Sequence, residues 1–389
     1  MINIFKRLIN NLLLFALVVL PAGCKEKFIS PVPPVVTGYL VVEGVINNEG
    51  SETNIHLSRT TSLSDTSKLL EQGASVLLED SLNNVLMLQE YSAGIFTINN
   101  LHLDTSHSYR LTIKTTNNEN YQSDFVKVRY NPPIDSINWV RDQNGVQLFI
   151  NTHDPNNNTR YYQWEFNETW EFHSPFTAGL KWVITGPDYD QYYDVANRDA
   201  NDPQISKCWQ FNASSSISLG SSAKLVQDII HLPLLQIPDA SWKLSVLYSV
   251  LVKQYSWSKE GFDFLGRMKK NTESVGSVFD AQPSELNGNI HCISNPGLPV
   301  IGFFNICTIR ENRIFIKSSE VPNWSYRSGC IHFAIPNISD SIKAKAIGKL
   351  PIDPILIAPG GHIVSFYVST AECVDCTLSG TNVKPHYWP

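Results

Sequence analysis

The sequence predicts a mainly β protein, with a β-sandwich of immunoglobulin-like size over residues 36–131 and a larger β-rich part over 132–389 carrying one short helix. Three observations predict it. Tyr109-Arg110-Leu111-Thr112-Ile113-Lys114 alternates apolar and polar side chains, the period of two that a half-buried strand needs. The period returns where Tyr162, Trp164, Phe166, Trp170 and Phe172 hold even positions against Gln163, Glu165, Asn167, Glu171 and His173 on odd ones. Asn83-Asn84 and Asn117-Asn118 mark turns between short runs, since asparagine enters the left-handed region at small cost.

The chain opens with Lys6 and Arg7, then an apolar run from Leu12 to Leu20. This is the layout of a secretory signal, and the run falls short of the roughly 20 residues that span a bilayer. It ends in Pro21-Ala22-Gly23-Cys24, where two small residues let the backbone enter a peptidase cleft in extended form. The segment resembles a lipobox, with Pro21 standing where leucine is commonest and Leu20 displaced by one. The expectation is a signal peptide over 1–23 and lipidation of Cys24; the alternative is an ordinary secretion signal with an incidental cysteine. Two acyl chains on Cys24 pass the threshold for stable anchoring, because each buried CH₂ contributes about 0.8 kcal/mol. Residues 24–35 then read as a proline-rich tether through Ser30-Pro31-Val32-Pro33-Pro34.

In the first domain, Tyr39 to Ile46, Asn54 to Leu57, Ala74 to Leu78, Val85 to Leu88 and Phe125 to Val128 read as further strands. Asn131-Pro132-Pro133 breaks the pattern and opens the second part. There a long strand is expected from Trp242 to Tyr255. One helix is expected from Lys259 to Lys270, with Ser258 as N-cap and Phe262, Leu265 and Met268 on one stripe.

Seven cysteines are an odd number for an oxidising compartment, and assigning Cys24 to acylation leaves six: Cys208, Cys292, Cys307, Cys330, Cys373 and Cys376. Cys292 and Cys307 flank Asn295-Pro296-Gly297-Leu298-Pro299, so a hairpin there would bring their sulfurs together. This is the first pair expected. Cys373-Val374-Asp375-Cys376 admits a redox site, half a zinc site, or structural disulfides to Cys208 and Cys330 or to each other; the last is expected.

Charged residues make up 17% of the chain, and removing 1–23 takes away two cations and no acid, moving the net charge from −6 to −8. An acidic chain without a basic stretch excludes nucleic acid as the expected partner.

Several pieces follow in a fixed order: the lipobox, Leu40-Val41-Val42-Glu43-Gly44, Pro132-Pro133-Ile134-Asp135, Cys208-Trp209, and Gln254-Tyr255-Ser256 before the helix. Gly276 to Pro283, Gly288-Asn289-Ile290, Glu372 to Cys376 and a closing Pro-x-x-Trp at Trp388 complete the series. The series resembles a family of Bacteroidota lipoproteins known only as a domain of unknown function, of the 4249 type. The resemblance implies a carboxypeptidase-regulatory-like β-sandwich followed by a larger β-rich domain. It also implies an outer-membrane accessory lipoprotein that works with a TonB-dependent β-barrel transporter, and it carries over no catalytic residues.

Motifs of catalysis are not apparent: no HExxH, GxSxG or phosphate-cradling glycine loop occurs. His291, beside Cys292 and near Asp280, is expected to be structural. Asp188, Asp190 and Asp194 could offer oxygens to calcium, but the segment lacks the glycine and closing glutamate of a helix-loop-helix site and reads as a solvated loop. No metal or cofactor is expected. The even-numbered aromatics of 162–172 are expected in the core. Tyr189, Tyr192 and Tyr193, in an acidic loop-like stretch, are the expected ligand or partner contacts. The expected function is therefore a non-catalytic binding or assembly module anchored to the outer membrane, on its periplasmic or outer face. A surface adhesive protein is the alternative, and a polymer hydrolase the weakest.

Overall fold

The computed structural model describes residues 38–50, 52–62, 65, 68–187, 191–273 and 286–389. The signal segment, Cys24, the tether, Tyr189, Asp188, Asp190 and Gly276 to Pro283 lie outside the described residues.

The first unit contains β1 (Leu40–Glu43), β2 (Ile46–Asn47), β3 (Thr53–Arg59), β4 (Leu69–Leu70), β5 (Ser75–Asp80), β6 (Val85–Ser92), β7 (Ile95–Ile98), β8 (Ser108–Lys114), β9 (Asn120–Ser123) and β10 (Val126–Lys127). The alternation read at 109–114 is realised on β8, where Tyr109, Leu111 and Ile113 are buried. Asn83 and Asn118 adopt φ of 65° and 61° in their turns. The strand expected over 39–46 breaks in two at Gly44, whose φ is 133° and where a Cβ would sit 2.4 Å from the Asn54 carbonyl oxygen.

The second part opens with β11 (Ile134–Asp142), β12 (Gly145–Asp154), β13 (Tyr161–His173), β14 (Leu180–Thr185), β15 (Tyr192–Asn197), β16 (Lys207–Ala213), β17 (Ser218–Ser221), β18 (Asp228–Pro238) and β19 (Leu247–Ser256). β11, β12 and β18 form one sheet, while β13 is central to another with β16, β17 and β19. Trp164, Tyr162 and Tyr248 fill the core between them. Burial alternates through the even position Glu168 and then fails, because the odd positions Thr169 and Glu171 are buried as well; two carboxylates, Glu168 and Glu171, are thus inside. Each has partners that make burial tolerable. Glu168 accepts from Lys243 Nζ and the Tyr248 hydroxyl at 2.8 Å, and Glu171 accepts from Trp388 Nε1 at 2.9 Å. The expected strand from Trp242 starts later, since Trp242–Leu244 forms a 3₁₀ turn capped by Ser241. Helix α1 (Lys259–Glu273) follows β19 directly, and its Ser258 hydroxyl accepts the Gly261 N–H at 3.0 Å, the cap expected.

The chain then returns to the first unit. β20 (Ile290–Cys292) pairs antiparallel with β9, β21 (Ile301–Gly302) parallel with β1, and β22 (Ile306–Cys307) parallel with β2. The resulting order, β20-β9-β8-β5-β6-β7-β3-β1-β21, has its two ends carried by consecutive strands, so the sheet wraps almost fully around one core. Residues 290–307, expected with the second part, thus complete the first. The return is tight: a Cβ on Gly288 would meet the Gly302 carbonyl oxygen at 1.6 Å.

β23 (Arg310–Lys317) extends the β13 sheet beyond β19. β24 (Phe333–Pro336), helix α2 (Ser339–Lys345), β25 (Lys349–Ile357) and β26 (Ile363–Thr370) close the chain. With the β14–β15 hairpin they enclose a small separate core around Leu180, Val195, Ile335 and Phe366. No helix among the described residues is long and apolar enough to cross a membrane.

The cysteines correct one expectation. Cys292 and Cys307 form no disulfide; both are free and buried. The Asn295-Pro296-Gly297 turn does not fold into a hairpin between them, because Cys292 sits on β20 against β9 while Cys307 sits on β22 against β2. The other four form Cys208–Cys376 and Cys330–Cys373, so each cysteine of the CxxC takes a distant partner and the redox and zinc readings fall away. Burial pushes the Cys307 thiol up to about 12. A raised thiol pKa favours the folded state below the unfolded value of about 8.5, and that contribution is lost as pH rises toward the folded value. At pH 8 an aromatic disulfide reagent should therefore find neither Cys292 nor Cys307 in the native protein and both in guanidinium. Fast native labelling of either would contradict this burial.

Candidate functional site

Two separate stretches build a wide concavity. The first is 124–130, running off β9 through β10 toward the Asn131-Pro132-Pro133 junction. Its even residues Val126 and Val128 pack on the first core, which leaves Phe125, Lys127 and Arg129 on the opposite side. The second is the end of β19 and the start of α1, with Glu260, Asp263 and Arg267 spaced so that one helix face carries all three. Between them lies a cleft of about 860 Å³, with Trp257 and Phe303 among its aromatic lining and Asn287, Gly288 and Asn289 closing one side.

A buried polar lock fixes the two walls relative to each other. Asn131 Nδ2 donates to the Gln254 and Thr308 carbonyl oxygens at 2.6 and 2.8 Å. Gln254 Nε2 donates to the Pro132 carbonyl at 2.8 Å, and Trp164 Nε1 donates to Gln254 Oε1 at 2.9 Å. On the closing side, Asn289 Oδ1 accepts from Phe304 N at 2.7 Å while its Nδ2 donates to the Phe304 carbonyl at 3.0 Å.

The charges of the cleft balance in number and differ in state. Burial holds the Arg129 guanidinium below the usual arginine range, although the Glu260 carboxylate works the other way. Among the described residues, the Arg129 side chain makes no hydrogen bond or ion pair. Glu260 lies below the usual carboxylate range because its own backbone N–H and the Ser258 hydroxyl donate to it. Asp263 pairs with Lys259 at 2.6 Å, and Asp124 with His291 at 3.3 Å. Phe125 and Tyr130 are 46% and 50% exposed, whereas Trp257 is only 6% exposed and its Nε1–H has no acceptor among the described residues. Backbone edge, aromatic surface and both signs of charge therefore meet in one place.

Of the residues expected to touch a ligand, Tyr189 lies outside the described residues, and Tyr192 and Tyr193 lie elsewhere. Tyr192 and Tyr193 belong to strand β15 and not to a loop, because residues 192–197 pair with β14 along their whole length. Tyr193 lines an apolar groove of about 330 Å³ with Trp182, Ile184, Ile342 and Ile347, and Tyr192 is exposed. Neither reaches the larger cleft. Asp194 accepts from Val195 N at 2.7 Å and Asn337 Nδ2 at 2.6 Å, so it serves the local strand packing. His291 stands beside Asp124, a lining residue of the cleft, a position that its neighbourhood of Cys292 and Asp280 did not indicate. The sequence did hold signals for the cleft: the strand at 125–128, the Ser258 cap, and the motifs at 254–256 and 288–290 all contribute lining residues, and Pro132 of the 132–135 motif is held by the buried lock beside it.

Residues 26–313 match the family described as a domain of unknown function (DUF4249). The chain belongs to that family. The DUF4249 match takes in both walls of the cleft and its closing segment, and it ends within β23, before β24, α2, β25 and β26. No match was found among curated proteins. Among solved structures, a chitinase from Bacillus thuringiensis is similar over 51% of this chain and 29% of its own, at 10% identity and a TM-score of 0.14. A likeness that slight carries no argument about this DUF4249 protein.

Proposed function

We propose that this DUF4249 protein is a non-catalytic binding component of a bacterial envelope, exported, anchored through lipid on Cys24, and engaged with a TonB-dependent β-barrel transporter at the outer membrane. The cleft between 124–130 and α1 carries the binding reading, because it combines an exposed aromatic rim with a strand edge and unpaired charge, the ingredients of recognition. The two disulfides support an oxidising compartment. The resemblance to Bacteroidota outer-membrane lipoproteins supports the choice of partner.

The test places a photoreactive phenylalanine analogue at Phe125 or Tyr130 in the protein made by its own cell. Ultraviolet light should join it to a β-barrel receptor that also co-purifies in mild detergent. Membrane-retained protein that cross-links to no receptor from either position would reject the partnership.

A further inference from the structure

We propose that the cleft takes an extended polypeptide segment of a partner protein, which adds as a strand to the backbone edge at Phe125–Val128 beneath α1. This deepens the reading of the cleft as a partner site and rests on it.

The argument starts with the ladder. β9 has β8 on one side and β20 on the other. The β20 side ends where Asp124 N donates to the Asn289 carbonyl at 2.8 Å, and the next neighbour along the chain appears only where Arg129 N donates to the Ile306 carbonyl at 2.9 Å. Over the residues between, β8 is the sole strand partner among the described residues, through Val126 opposite Tyr109 and Lys127 opposite Ser108. An extended residue sends its N–H and C=O to the same side, and successive residues send them to opposite sides. Roughly two of the four residues therefore turn both groups away from β8, over a stretch of about 13 Å at ~3.3 Å per residue.

Exposed edges are ordinarily blunted or covered, since they template further pairing. Here the edge lines a cleft with a helix on its other wall. A strand laid between them would meet Glu260, Asp263 and Arg267 with one side of its residues. A glycan offers stacking for Phe125 and Tyr130 but no row of alternating donors and acceptors. The observations favour polypeptide, with strand addition giving affinity through the main chain and specificity through alternate side chains.

The experiment uses the full-length protein in mild detergent and random linear peptides displayed on phage. An enriched peptide is then synthesised and N-methylated at one position at a time. Strand addition predicts loss at every second position, about 5- to 10-fold for each removed backbone bond, and near-unchanged binding at the positions between. It also predicts slowed hydrogen exchange at amides of Phe125–Val128, and weaker binding by Arg267→Ala at unchanged melting temperature. No enriched peptide, loss without a period of two, or protection confined to other strands would overturn it, as would a glycan that binds at Phe125 and competes with nothing peptidic. A β-barrel receptor that still cross-links while these tests fail would leave the binding role standing and remove strand addition alone.

Discussion

Replacing Gln254 by leucine is expected to destabilise the folded protein by about 3–5 kcal/mol, which a urea titration would report as a large drop in midpoint. Gln254 is fully buried, and its amide holds the Pro132 carbonyl, the Asn131 side chain and the Trp164 indole at once. Leucine fills similar space but abandons the Trp164 N–H and the Pro132 carbonyl. Each orphaned buried group costs about 1–3 kcal/mol, roughly twice what a satisfied bond returns net. Because Asn131 also donates to the Gln254 and Thr308 backbones, the loss falls on the junction that seats 124–130 against β19. A drop below ~1 kcal/mol would mean that water takes over the vacated positions.

The second large effect concerns the long disulfide. Cys208–Cys376 spans 168 residues and ties β16 to the segment after β26, whereas Cys330–Cys373 spans 43. In the chain-entropy picture the longer closure constrains the unfolded chain more, by about 1 kcal/mol, within a usual range of 2–5 kcal/mol for a native bridge. The Cys208→Ser, Cys376→Ser double variant should therefore melt about 1–2 °C below the Cys330→Ser, Cys373→Ser variant, and both further below the parent. Partial proteolysis of the first should release the C-terminal β24–β26 unit, though Trp388 still donates to Glu171 and packs edge-on to Trp209. Equal melting temperatures for the two double variants would show that native-state packing, and not loop closure, sets the value of these bridges.

What could be read in the sequence was local. Tyr109–Lys114 and Tyr162–Phe166 show their burial through period two because a strand's faces are decided residue by residue. Ser258 caps α1 because the hydroxyl and the Gly261 N–H lie within one turn. The failures share the opposite character. Glu168 and Glu171 look like surface residues until Lys243, Tyr248 and Trp388 arrive from far along the chain. Cys292 and Cys307 look like a hairpin pair because the turn between them is visible and their true neighbours, Tyr121 and Asn47, are not. The candidate site suffers in the same way. Its strand, its cap and its asparagine were each in view, but the meeting of residue 125 with residue 260 belongs to topology and not to any window of sequence. Tyr192 and Tyr193 were singled out by composition, and the strand partner that makes them β15 is β14, a run that the aromatic and acidic composition of the stretch does not reveal.

The return of β20, β21 and β22 has a consequence for how such a chain is made. Synthesis proceeds from the amino end, yet among the described residues the two open margins of the first sheet receive their neighbours from residues 290–307. Until those residues emerge, the early strands have no way to finish their own hydrogen bonding. Commitment of the first unit to its native state therefore waits until about three quarters of the chain has been made.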